Sequence, residues 1–198
     1  MAADTGAFPR GAVMPQLVAL SLSIAVLGAI WAFLALGPMS GFVLVWAGFI
    51  AWGCFFHSGA DAKALAKTIA GTAYGAFVAW IALLIIFRLG AGGMGVPAIA
   101  IVVGATVFFL VIVAKVDLLS VVSANVYGYA GTVAYSLHQA SVPATAPGTM
   151  GTGPLENLTT AGFANPLVLL IASFILGAIG GYLSAQIAGL LTRKAAAA

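Results

Sequence analysis

Ionisable residues are few in this 198-residue chain, and the two that close an apolar run together are His57 and Asp61. Four apart, they would share one face if a helix continued through them, where an imidazole and a carboxylate can pass a proton or begin a metal site. A zinc-type site needs further ligands at matching spacing. The neighbouring sequence offers none, so neither a metal nor a cofactor is expected. Two histidines, one cysteine and four acids form no HExxH, CxxC or nucleophile-elbow pattern, and an enzyme is not expected either. With Lys63 and Lys67 close behind, His57 and Asp61 read as a polar cluster at the mouth of a helical pair.

The neutral polar residues are stronger candidates. Asn125, Tyr129 and Thr132 stand at i, i+4 and i+7, one stripe of a helix, and Tyr74 and Thr72 sit in another apolar run. The stretch 45–61 has a looser copy in 122–135, the run that carries Asn125, Tyr129 and Thr132. When Ala47-Gly48-Phe49-Ile50-Ala51-Trp52 is laid on Ala124-Asn125-Val126-Tyr127-Gly128-Tyr129, small, apolar and aromatic positions coincide. Gly48 then answers Asn125, and Trp52 answers Tyr129. Aromatic walls with a few neutral hydrogen-bonding groups suit passage of a small polar solute. The competing role is adhesion between helices, which small residues and Asn, Ser or Thr also provide. For Asn125 both roles stay open.

The elements that carry these residues follow from composition. Apolar residues make up 63% of the chain and charged residues 6%, with a mean hydropathy of +1.18. A soluble domain carries about 25% charged residues, so the chain is expected to lie in a lipid bilayer. The basic residues are scattered singly, which excludes the clustered footprint of a nucleic-acid binder. Cys54 stands alone, so no disulfide framework exists.

At about 20 apolar residues per crossing, the chain divides into six spans, near residues 17–36, 41–57, 68–87, 96–114, 118–137 and 166–191. The first run exceeds the length of a signal-peptide core and is kept as a span. Residues 140–164 form the one long loop. One side then holds Arg10, Lys63, Lys67, Lys115, Arg193 and Lys194, and the other only Arg88. The positive-inside rule puts both termini in the cytoplasm and the long loop outside. The expected fold is therefore an all-α membrane protein of one domain. Its halves are two inverted three-helix repeats, because Gly71–Ala76 and Gly177–Tyr182 are also alike. No ionisable residue falls at midplane depth, which argues against a carboxylate-coupled pump.

The segments Gly28-Ala-Ile-Trp31, 47–58, 68–80 and Asp117-Leu-Leu-Ser-Val-Val-Ser-Ala-Asn-Val-Tyr-Gly128, with the small-rich last span, resemble the domain of unknown function family 1097. The resemblance implies a multi-pass protein of the bacterial inner membrane and no particular chemistry. His57-Ser-Gly-Ala-Asp61 stands where members carry more glycine, and the long loop is larger than theirs. The expected function is a channel or facilitator for a small uncharged or weakly charged solute, homo-oligomeric, with Gly48, Trp52, Asn125, Tyr129, Thr132 and Tyr74 along the path. The rival expectation is a non-conducting subunit of a larger membrane complex.

Overall fold

Punctuation by Gly, Pro and one acidic cap sets the helix boundaries. The computed structural model describes residues 15–138 and 155–196; Arg10 and residues 140–154 of the long loop lie outside the described residues. Pro15 leads into α1 (Gln16–Leu36), which stops at Gly37-Pro38, as proline requires. α2 (Val45–His57) begins later than the expected residue 41. Gly41 adopts φ +85° and Leu44 is extended, so the chain turns before it coils. The buried start of that helix is satisfied from another helix: the Leu44 N–H donates to Ser173 Oγ at 2.8 Å.

α3 (Ala62–Phe87) begins earlier than residue 68 because Asp61 caps it, its carboxylate accepting the Ala64 N–H at 2.7 Å. Gly59 (φ +117°) and Ala60 (φ +58°) break the chain between α2 and α3. His57 and Asp61 therefore do not share a helical face, and that expectation is corrected. α4 (Val96–Ile112) opens behind Gly95 with proline in its first turn. α5 (Val122–His138) starts after residue 118, since Asp117–Leu119 forms its own 3-10 turn. α6 (Pro166–Ala196) outruns residue 191; Arg, Lys and Ala are good helix formers, so charge ends the apolar stretch without ending the helix.

The fold is all-helical, with six α-helices and no strand among the described residues. Among the described residues four stretches are long and apolar enough to cross a membrane, Gln16–Leu36, Ala62–Phe87, Val96–Lys115 and Pro166–Thr192. With 13 residues, α2 rises about 20 Å, short of the roughly 30 Å hydrocarbon core. With 17 residues, α5 rises about 26 Å.

α3 and α6 form the centre. α5 packs chiefly on α3 and α2 chiefly on α6, while α1 lies along α6 and α4 along α3. α1 buries one stripe, Ala19, Ser23, Gly28, Trp31 and Ala35, and turns Leu17, Ile30 and Phe33 outward. α4 buries only Thr106 and Leu110. Such broad exposed apolar faces suit contact with lipid. The core between α2, α3, α5 and α6 is built of Ala47, Ala51, Ala76, Ala178, Leu169, Leu170, Phe174 and Tyr135. At one end of the molecule Lys67 pairs with Asp117 at 2.8 Å. At the other, Trp80 Nε1 donates to the Leu158 carbonyl at 2.7 Å and Arg88 to the Glu156 carbonyl at 2.6 Å.

Candidate functional site

Two close helix crossings carry most of the candidate residues. In the first, Gly177 of α6 meets the backbone of Gly48 in α2, and Gly48 also lies against the Trp31 ring. A Cβ at either glycine would collide. Trp52, one turn further along α2, stacks its ring on Gly180 and Gly181 and donates its indole N–H to Ser184 Oγ at 3.2 Å. Small residues are what let helices approach this closely in lipid, where no hydrophobic drive separates helix from solvent.

In the second crossing, Gly71 and Gly75 of α3 meet Asn125 and Tyr129 of α5, and Gly128 meets Thr72. Asn125 is fully buried. Its Nδ2 donates to the carbonyls of Leu110, at 3.2 Å, and Leu119, at 3.1 Å, tying the end of α4 and the turn after it to α5. Its Oδ1 has no hydrogen-bond donor and faces Gly71, where a Cβ would stand 2.8 Å away. A glycine Cα–H fills that place, the weak donor seen at helix interfaces.

Two of the remaining candidates also join helices, and the third bonds within its own. Tyr129 and Thr106 share a hydroxyl hydrogen bond at 3.0 Å. Tyr74 donates to the Phe109 carbonyl at 3.0 Å. Thr132 is buried and donates to Gly128 of its own helix at 2.9 Å. Gly48 and Trp52 thus belong to the α1–α2–α6 group, while Asn125, Tyr129 and Tyr74 belong to α3–α4–α5. Tyr127, on the same stretch of α5, points outward.

The seam where α2 faces α5 is lined by other residues. Ala47, Ala51 and Tyr135 meet there with Phe174 of α6, whose ring reaches Gly131, as does that of Trp46. Alanines and a phenylalanine carry no chemical signal in a sequence, so only their place in the packed centre singles them out. The polar end is simpler. His57 is exposed at the end of α2, Asp61 is occupied as a cap, and Lys67 turns to Asp117 and to Ser120 Oγ at 3.0 Å. The Lys67 hydrogen bond and charge, with a smaller contribution from Lys63, hold the Asp117 carboxyl below the usual carboxylate range. Among the described residues no three of His, Cys, Asp and Glu come together as metal ligands.

A family model described as "Protein of unknown function (DUF1097)" matches residues 21–189. No curated protein and no solved structure matches the chain.

Proposed function

The chain belongs to the DUF1097 family, and we propose that it is a six-span facilitator of the bacterial inner membrane, built from two inverted three-helix halves. It passes a small uncharged or weakly charged solute along the α2–α5 seam. One observation carries this reading: the two crossings repeat each other in register. Laying 47–52 on 124–129 and 71–76 on 177–182 pairs Gly48 with Asn125, Trp52 with Tyr129, Gly71 with Gly177 and Gly75 with Gly181. The contacts follow the same pairing. Gly177 meets Gly48 as Gly71 meets Asn125, and Gly181 meets Trp52 as Gly75 meets Tyr129. The flank of α1 on α6 is matched by that of α4 on α3.

Inverted halves of this kind work by rocking one against the other around a seam near the midplane. Here the seam is closed by Phe174 and Tyr135 among small alanines. Gly48, Trp52, Asn125 and Tyr129 act at the crossings on which such a motion would turn. Lys63, Lys67 and Lys115 on one side and Arg88 on the other fit cytoplasmic termini.

Burial of Asn125, Thr132 and Ser136 with hydrogen bonds inside the bundle favours the second reading, a non-conducting accessory subunit. Flux separates the two. Reconstituted in liposomes and screened with urea, ammonia, glycerol and short carboxylates, the chain is expected to carry at least one solute. Phe174→Ala should speed that flux severalfold, and Trp52→Ala and Asn125→Leu should alter it. If neither the wild type nor Phe174→Ala exceeds protein-free liposomes for any solute, the accessory reading stands instead.

A further inference from the structure

Outside the packed core, the free face of α4 and the turn after it carry a shallow, open groove of about 500 Å³ lined by Gly104, Val107, Phe108, Val111, Ile112 and Lys115. Its inner end at Gly104 is open, for a Cβ there would meet no atom within 4 Å. Phe108 forms an exposed wall. Lys115 closes the outer end, exposed and, among the described residues, without an ion pair or hydrogen bond. Its nearest acid in sequence, Asp117, is turned to Lys67 at 2.8 Å, so the charge on Lys115 is left over.

Length decides what fits. From Gly104 to Lys115 the backbone rises about 16 Å at 1.5 Å per residue, and half of the hydrocarbon core is about 15 Å. The groove runs the depth of one leaflet, apolar throughout and cationic at the interface. We propose that it seats one acyl chain of an anionic phospholipid, with the lipid phosphate on the Lys115 ammonium. This rests on the reading of the chain as a membrane-spanning protein with that end at the cytoplasmic face. A zwitterionic lipid offers the same chain, but its amine cancels the net charge that an unpaired lysine selects for.

The test uses the full chain in detergent, titrated with palmitoyl-oleoyl phosphatidylglycerol or phosphatidylcholine and read by native mass spectrometry and by the thermal midpoint. Phosphatidylglycerol is expected to bind saturably at one per chain and to raise the midpoint. Phosphatidylcholine should bind about fivefold more weakly, the factor associated with one lysine near an anionic surface. Lys115→Gln should abolish that preference without changing phosphatidylcholine binding. Gly104→Leu fills open space, so it should fold as the wild type does and lose both lipids. Equal binding of the two lipids by the wild type, or an unchanged preference in Lys115→Gln, overturns the proposal. So does disulfide cross-linking of Gly104→Cys chains in membranes, because it puts a second copy on the groove; the native Cys54 is buried and would not contribute. Solute flux plays no part in these readouts, so failure of the facilitator reading and failure of this site are told apart.

Discussion

A methyl group at Gly75 has no room. A Cβ built there would stand 2.8 Å from the Tyr129 backbone nitrogen and closer still to the Asn125 carbonyl oxygen, while ordinary contact begins at 3.4 Å. The nitrogen alone would require α3 and α5 to part by about 0.6 Å, and the closer Asn125 oxygen requires more, because backbone atoms cannot rotate aside. A gap of about 0.5–1 Å forfeits roughly a quarter to a half of each contact's attraction, and among the described residues no helix pair is packed more extensively than this one. Overpacking costs about 1–3 kcal/mol in general. With backbone as the obstacle, Gly75→Ala is expected near the upper end, partly offset by about 1 kcal/mol of helix propensity. Gly104→Ala is the control, since its Cβ meets nothing within 4 Å and it keeps the propensity gain. Thermal unfolding of both variants in detergent, followed by far-ultraviolet circular dichroism, should give shifts of opposite sign. The same small gain for both would refute the close crossing. At Gly181 the obstacles are side-chain atoms of Phe55 and Trp52, which can shift, so Gly181→Ala should cost less than Gly75→Ala.

Three further outcomes are expected. Asp61→Ala removes the cap of α3 and should lower stability by about 1 kcal/mol in the same unfolding assay, with Asp61→Asn recovering most of it. Asp117 has a depressed folded pKa, so the stability it adds is whole above its ordinary value of 3.8 and is lost as pH falls below that. Unfolding midpoints measured from pH 6 to pH 3 should therefore fall less steeply for Asp117→Asn than for the wild type, and parallel curves would show that the Lys67 pair adds nothing. Trp80→Phe deletes the hydrogen bond to Leu158, worth about 1 kcal/mol. Amide exchange across residues 155–159 should quicken about fivefold, with exchange in α5 unchanged.

Much of this architecture is legible in the residues, for identifiable reasons. Gly37-Pro38 and Gly95 with Pro97 mark helix ends wherever they occur, so the limits of α1 and the start of α4 follow from local chemistry. The likeness of 47–52 to 124–129 could also be read, because helical spacing and residue size are printed in the chain. The contacts it leads to could not. That Gly48 meets Gly177 and Asn125 meets Gly71 depends on which helices become neighbours, a property of the whole bundle. Asp61 reads as a mouth residue, and what its neighbours in sequence do not announce is that its carboxylate accepts the Ala64 N–H and caps α3. Asn125, Tyr129 and Thr132 do lie on one helix, but Asn125 and Tyr129 bond across to α4 and the turn after it while Thr132 bonds within α5, and the α2–α5 seam falls to residues as plain as Ala47, Ala51 and Phe174. Tyr127 looked equal to its neighbours in sequence and faces outward.

Two inverted halves make a direct demand on sidedness. The residue that opens α3 and the segment that leads into α6 hold equivalent places in the two halves, and they must lie on opposite faces of the membrane. In a Cys54→Ala background, single thiols introduced by Ala62→Cys and Ala161→Cys, both at exposed positions, can be labelled in intact cells with a membrane-impermeant maleimide. The Ala161→Cys chain is expected to react from outside, and the Ala62→Cys chain only after the membrane is opened. Reaction of both from the same side would contradict the inverted, six-span arrangement on which the proposed function rests.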